Sequence, residues 1–283
     1  MKVLGIDIGG TNIRTGLVED NAVVRIESLK IKKDGSEAEI MNDLNSLIGK
    51  FIKDKIEGIG IGVPSVVDPE KGIVYDATNI PAWREVHLKE QLEAKYNIPV
   101  YINNDANCFV MGEKYFGKVK DYRNIVGLIT GTGLGSGLIL NNQLYSGENC
   151  GAGEFGMIPF RDHDFEYYCS GQFFVNAHGT NGEAIHQRAE QGEAAALEIF
   201  TQFGSNLGEA IKMIMLAVDP EIFVLGGSVS KSFKFFKEAM WKSIRKFVYG
   251  HSADKIKVEV FETNHIAILG AAALYYDTLK RDH

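Results

Sequence analysis

The most restrictive feature of the 283-residue sequence is a unit that occurs twice: an apolar strand, a loop of glycine and small polar residues, and a second strand. The first copy has its strand at residues 3–8, turns through Gly9-Gly10-Thr11-Asn12, and resumes at residues 13–18. The second has its strand at 124–130, enters Gly131-Thr132-Gly133-Leu134-Gly135-Ser136-Gly137, and resumes at 138–140. Repetition of a supersecondary unit predicts a doubled architecture. Paired glycines let the backbone turn tightly and approach an anion, because no Cβ intervenes. Gly9, Gly10, Thr11 and Asn12 thus make a phosphate-binding loop, with Arg14 as a charged fork. Asp7, at the mouth, is placed to hold hydrated Mg²⁺ through water. A Gly-Gly pair also serves an ordinary hairpin turn, so the reading depends on the rest of the chain.

The order of elements supplies the fold class. Residues 3–8, 13–18 and 23–29 read as three strands, the first nearly all apolar and therefore central. Residues 38–53 carry apolar side chains at helical spacing. A fourth strand ends in Gly62-Val63-Pro64, and residues 66–75 form a hairpin around Asp68-Pro69-Glu70-Lys71-Gly72. A helix over about 86–96, a strand at 100–102 and a helix over 106–115 follow. The second round adds a long helix (197–216), a strand (222–225) ending in Gly226-Gly227-Ser228, a helix (233–247) and a strand (258–261). A closing helix (268–279) has a small-residue face from Gly270 to Ala273. This is an α/β protein with mixed sheets and crossover helices. With no low-complexity linker, the boundary falls at Phe116-Gly117-Lys118. The expected division is a small α/β lobe, 1–116 plus 268–283, and a large α/β lobe, 117–267, with a cleft between them.

Composition excludes several function classes. Lys and Arg number 30 against 37 Asp and Glu, a net charge of −7, so no basic surface for nucleic acid is expected. No apolar run is long enough for a bilayer, and the chain enters a strand at once, which predicts no signal peptide and no membrane association. Three scattered cysteines (Cys108, Cys150, Cys169) suit a reducing cytoplasm rather than a disulfide framework.

Three glycine-rich strand ends then stand out: Gly9-Gly10-Thr11, Thr130-Gly131-Thr132-Gly133 and Gly226-Gly227-Ser228. Two such loops can hold a polyphosphate by backbone N–H groups and hydroxyls, and the third can lie against a nucleoside. They are neither a Walker loop, which needs Gly-Lys-Ser/Thr, nor a dinucleotide fingerprint, whose glycine spacing differs and precedes a helix. Asp105, in Asn103-Asn104-Asp105-Ala106-Asn107, is the candidate base for a substrate hydroxyl, since phosphoryl transfer needs one carboxylate for that proton. The same stretch also reads as a helix start with Asp105 as its N-cap.

Taken together, Asp7-Ile8-Gly9-Gly10-Thr11, Gly62-Val63-Pro64, Asn104-Asp105-Ala106-Asn107, Gly131-Thr132-Gly133-Leu134-Gly135, Gly151-Ala152-Gly153-Glu154-Phe155-Gly156 and Leu225-Gly226-Gly227 resemble, in order, the motifs of the ROK family of bacterial sugar kinases and sugar-responsive repressors. The resemblance covers essentially the whole chain. It implies the two-lobed actin-like (ribonuclease H-like) ATPase fold. It also implies a cytoplasmic, ATP- and Mg²⁺-dependent kinase acting on the primary hydroxyl of a hexose or N-acetylhexosamine, and a homodimer. Asp105 resembles the base and Asp7 the metal-side carboxylate. Asn79, Asn104 and Glu154 resemble sugar ligands beside Gly62 and Pro64. The rival reading is a sugar-sensing regulator of the same family without its own DNA-binding domain.

The chain departs from the family where a histidine and a cysteine run would bind structural zinc. Met157 stands at the histidine position, and only residues 158–164 precede Phe165-Glu166. No thiolate site of four ligands can form, so zinc is not expected, and Cys169, His163 and His178 are not read as ligands. On this register Glu166 resembles the family's second sugar-binding glutamate. The aromatic run Phe165, Tyr167, Tyr168, Phe173 and Phe174 is expected to brace the region that the zinc loop would occupy.

Overall fold

The computed structural model describes residues 1–281 apart from Asn79 and Asn149. The chain divides into two compact units, Met1–Asp121 with Leu144–Ala152 and Thr263–His283, and Tyr122–Gln143 with Gly153–Glu262.

In the first unit the chain forms β1 (Lys2–Ile8), β2 (Asn12–Glu19), β3 (Ala22–Lys30), helix α1 (Glu37–Gly49) and β4 (Gly58–Val63). A small three-stranded sheet follows, β5 (Val66–Asp68), β6 (Ile73–Tyr75) and β7 (Glu85–His87), then α2 (Leu88–Tyr96), β8 (Val100–Asn104) and α3 (Asp105–Tyr115). The main sheet has the order β3-β2-β1-β4-β8. β2 runs antiparallel to β1, while β4 and β8 run parallel to it. Residues 86 and 87 depart from the expected helix, as the end of β7. That strand pairs with β6, Ile73 opposite His87 and Tyr75 opposite Glu85, because a long-range ladder there overrides the local helical pattern.

Strand period explains the packing. Leu4, Ile6 and Ile8 of β1 and Ile59, Ile61 and Val63 of β4 point into one core with Ile40, Leu44, Leu47 and Leu92. The opposite face of β4 is all glycine: Gly58, Gly60 and Gly62. Stripped of side chains, that face admits the C-terminal helix (Ile266–Arg281), whose Ala271 carbonyl lies where a Cβ of Gly60 would stand, and whose Tyr275 ring covers Gly58. Gly5 receives the Ile268 carbonyl in the same way.

The second unit contains β9 (Ile125–Thr130), β10 (Leu134–Leu140), β11 (Gln143–Leu144), a short hairpin of β12 (Pro159–Phe160) and β13 (His163–Asp164), and α4 (Phe165–Cys169). Helices α5 (Gly171–His178), α6 (Gly182–Glu190) and α7 (Ala194–Val218), strand β14 (Ile222–Gly226), helices α8 (Phe233–Ile244) and α9 (Gly250–Lys255), and β15 (Lys257–Val260) complete it. Its sheet order, β11-β10-β9-β14-β15, reproduces that of the first unit position by position: β10 antiparallel to β9, β14 and β15 parallel. The repeat read from the glycine loops is thus a repeat of whole sheets. Among the described residues no helix is long and apolar enough to cross a membrane.

One buried carboxylate makes a measurable prediction. Glu113 of α3 is 0% exposed. Burial pushes its carboxyl up to about 7, with Thr263 and Lys118 pulling it only partly back. A carboxyl raised in the folded state stabilises the fold at low pH, and that stability is lost as pH rises through about 7. Glu113→Gln is therefore expected to match the parent at pH ~4 and to exceed it at pH ~8.5 by up to about 3 kcal/mol in urea unfolding. An equal effect at both pH values would rule out this origin.

Candidate functional site

The carboxyl ends of β1, β4 and β8 place Asp7, Gly62 and Asn103 side by side, since Asp7 pairs with Gly62 and Gly62 with Asn103. Ligands of open α/β sheets gather at such ends. Asp7 is 8% exposed. Arg14 stands opposite it in the β1–β2 register and donates to its Oδ2 through Nε at 3.0 Å and Nη2 at 2.5 Å. The guanidinium read as a nucleotide ligand is therefore locked onto the carboxylate, and it fixes how Asp7 is presented. In the loop, Gly9 N–H donates to the Asn12 carbonyl at 3.0 Å. A Cβ at Gly9 would meet only that oxygen, at 3.5 Å. Nothing inside the unit demands glycine there; its absence of a side chain keeps the space before the backbone open, with Thr11 and Asn12 exposed beside it.

Asp105 is the first residue of α3, and the N-cap is Asn104, which accepts from Ala106 N–H at 2.8 Å. The reading of Asp105 as cap is thereby corrected: an amide performs that task. Asn104 Nδ2 also donates to the Ser65 carbonyl at 3.2 Å, tying the turn after β4 to the start of α3. Pro64, in that turn, accepts from Thr78 N–H at 3.1 Å. Asn79 lies outside the described residues. Asp105 is exposed, with its Oδ1 accepting from Ala106 N–H at 2.9 Å. Behind it, Asn103 Oδ1 accepts from Asn104 N–H at 2.8 Å and Asn107 Nδ2 at 2.9 Å. Cys108 lies beneath Gly62, 3.1 Å from where a Cβ would stand. Burial raises the Cys108 thiol well above its ordinary range, and the charges of Asp105 and Asp7 raise it further. That shared influence marks the two carboxylates as neighbours around one patch.

In the second unit, Thr130 is fully buried and its hydroxyl donates to the Gly226 carbonyl at 3.1 Å. It fastens the β9 and β14 ends together, so its hydroxyl does not face a phosphate. Gly131 N–H donates to the Gly133 carbonyl at 3.0 Å, and a Cβ at Gly131 would meet nothing within 4 Å. Thr132 is exposed. Gly227 adopts φ +88°, and a Cβ there would strike the Thr130 carbonyl. Glu166 commits both oxygens within the unit: Oε2 accepts from Leu134 N–H at 3.0 Å and Oε1 from Gln172 Nε2 at 2.8 Å. It also occupies the space a Cβ of Gly133 would need. Its geometry braces the 131–134 loop. Glu154 lies close enough that burial, and next the Glu166 charge, raise its carboxyl above the ordinary range.

The aromatic run is packing. Phe160 stacks on Phe165 at 4.6 Å and His163 on Tyr167 at 3.9 Å, while Phe174 stacks on Phe203 at 5.4 Å. Cys169 is fully buried, which pushes its thiol far up.

A cavity of about 520 Å³ lies beside the Gly131-Thr132 and Ser228 loop ends, walled by Phe174, Val175 and Val229. Asn181, Glu183, His186, Lys231 and Ser232 supply its polar groups. Sequence reasoning placed a nucleoside near Gly226-Gly227 but did not find α6. Asn181 caps that helix by accepting from Ala184 N–H at 2.9 Å, and only the fold brings it to the loops.

The molecule matches known proteins along its length. A glucokinase of Streptomyces coelicolor is 29% identical, with 96% of each chain covered. An N-acetyl-D-glucosamine kinase of Vibrio parahaemolyticus is 31% identical over 86% of this chain and 89% of its own. The crystal structure of a ROK family glucokinase from Streptomyces griseus, in complex with glucose and AMPPNP, superposes with a TM-score of 0.81 at 26% identity, covering 97% of this chain and 99% of that one. The doubled mixed sheet is thus that of the actin-like ATPases. The ROK family model itself spans residues 3–278, and the chain belongs to the ROK family.

Proposed function

We propose that the chain is an ATP-dependent sugar kinase that phosphorylates the primary hydroxyl of a hexose or N-acetylhexosamine. The observation that carries this is Asp105: an exposed carboxylate at the first position of α3, at the same sheet edge as Asp7, with its capping duty taken by Asn104. As the sugar oxygen bonds to the γ-phosphorus and the bond to ADP breaks, Asp105 takes the hydroxyl proton. Asn104 and Glu154 orient sugar hydroxyls, beside Gly62 and Pro64. Gly9, Gly10, Thr11, Asn12 and the backbone of Gly131, Thr132 and Gly133 face phosphates. The nucleoside takes the 520 Å³ cavity. The residues fit Mg²⁺, which nucleotide sites hold through one or two carboxylates and substrate phosphates. Asp7 is such a carboxylate, and Arg14 fixes its orientation. When bound, the ion neutralises charge on the phosphate oxygens.

Relatives that phosphorylate glucose and N-acetyl-D-glucosamine support both sugar classes. A coupled assay of ADP release, run with Mg·ATP over glucose, fructose, N-acetylglucosamine and N-acetylmannosamine, tests the proposal. At least one sugar is expected to release ADP in stoichiometric step with a 6-phosphate product. Sugar binding with no ADP release from any of them would replace the kinase by a sugar-sensing regulator.

A further inference from the structure

The segment Leu144–Ala152 belongs to the first unit although it follows β10 of the second. Among its described residues only Cys150 is buried, 4% exposed, in the core shared with β1 and β4. Cys150 adopts φ +57°. That left-handed conformation suits glycine, and a side chain there is strained. Such strain persists where the surrounding structure holds it, and it gathers around functional sites.

Polar contacts hold this one. The Cys150 thiol donates to Asn103 Oδ1 at 3.2 Å, and Asn107 Nδ2 donates to Cys150 Sγ at 3.7 Å. Asn103 Oδ1 also accepts from Asn107 Nδ2 at 2.9 Å and from Asn104 N–H at 2.8 Å. The last bond sets the direction of the others. A backbone N–H can only donate, so the Asn103 atom that faces it is the carbonyl oxygen. That oxygen has no hydrogen and accepts from whatever else faces it, the Asn107 amide and the thiol. Asn107 Nδ2 carries two hydrogens, one for Asn103 and one for the sulfur. Asn103 is 5% and Asn107 2% exposed, so bulk water does not compete for these bonds.

Donors from β8, α3 and the 144–152 segment thus converge on one carboxamide oxygen, and that oxygen pins the N–H of Asn104. Asn104 caps α3 and immediately precedes Asp105. The pinned peptide joins Asn103 to Asn104, so its plane sets the direction of both side chains that follow. We propose that Cys150 is a positioning residue for phosphoryl transfer: its thiol keeps the Asn103 carboxamide on the Asn104 N–H and so holds Asn104 and Asp105 in register with each other. This rests on the reading of Asp105 as base and Asn104 as sugar ligand. Glycine would suit the backbone better; the hydrogen on sulfur is what it lacks.

Initial rates of the full chain, with Mg·ATP and the sugar that releases ADP fastest, test this, with thermal melting to confirm folding. Cys150→Ala removes the donor. It is expected to lower kcat about three- to tenfold, the range that one hydrogen bond spans, and to raise the KM for sugar while the KM for ATP stays near the parent's. Cys150→Ser restores a donor in a similar volume and is expected to bring kcat back to within about twofold. In the Asn103→Ala background the oxygen through which Cys150 acts is gone, so Cys150→Ala is expected to lower kcat no further. Cys150→Gly, which suits the left-handed backbone, replaces Cys150→Ala with the same expectation should alanine not fold. Parental kcat without the thiol, a serine variant no better than alanine, or a loss that adds in full to that of Asn103→Ala would reduce Cys150 to core packing. So would a KM for ATP that rises in step with that for sugar. Each of these overturns the inference and leaves the kinase reading in place. A parent that releases no ADP with any sugar overturns both.

Discussion

Replacing Asp105 by asparagine is expected to lower kcat by about 10²-fold or more, the usual weight of a positioned base, while sugar affinity and thermal stability change little. Asparagine is chosen because Asp105 Oδ1 accepts from Ala106 N–H at 2.9 Å, and the amide oxygen preserves that bond. The helix keeps its cap on Asn104. The variant removes the basicity and the charge. Initial rates under saturating sugar and ATP, with sugar affinity measured separately, decide the matter. Near-parental turnover by a folded variant would remove Asp105 from the role of base and with it the main support for the kinase reading. A rise in sugar Kd with kcat unchanged would assign Asp105 to binding alone.

The second large effect lies in the fold. Gly60→Ala adds one methyl group, yet its Cβ would overlap the Ala271 carbonyl oxygen of the C-terminal helix. That atom belongs to a helix backbone packed by Ile268, Leu269 and Ala272 against Val3 and Val18, so it has no rotamer by which to yield. Relief requires the whole helix to lift, and the expected cost is about 3 kcal/mol or more, at the upper end of overpacking in cores. Gly49→Ala, at the end of α1 with nothing within 4 Å of its added Cβ, is the matched control and is expected to cost no more than a few tenths of a kcal/mol. Urea denaturation of both variants checks this. A mild effect at Gly60 would mean that the helix does not sit directly on β4.

Much of the architecture is legible in residue order. The apolar run at 3–8 and the strand patterns at 13–18 and 23–29 are β1, β2 and β3, the turn at Asp68 is that of the β5–β6 hairpin, and the periodic stretch at 197–216 is α7, extended to Ala194–Val218. These elements are written in local periods of two and 3.6 residues, which need no distant partner to be read. Val86 and His87 belong to strand β7 and not to the helix, because three residues carry too little period and β6 decides their state.

The site divides along the same line. Residue order alone determined that glycine loops follow strands twice over and that Asp7 and Asp105 stand at or next to strand ends. It did not determine what any of these side chains touches. Arg14, read as a charged fork, is paired with Asp7 because antiparallel register sets them opposite each other. Glu166, read as a sugar ligand, also braces the 131–134 loop because α4 carries it to Leu134. The Cys150–Asn103 pair, on segments far apart in the chain, has no local signature at all. Hydrogen-bond partners are set by where elements pack, and packing energy is a sum over the whole core. So the chain's order specified the loops and the carboxylates, and only the tertiary structure decided which donors, acceptors and charges answer them.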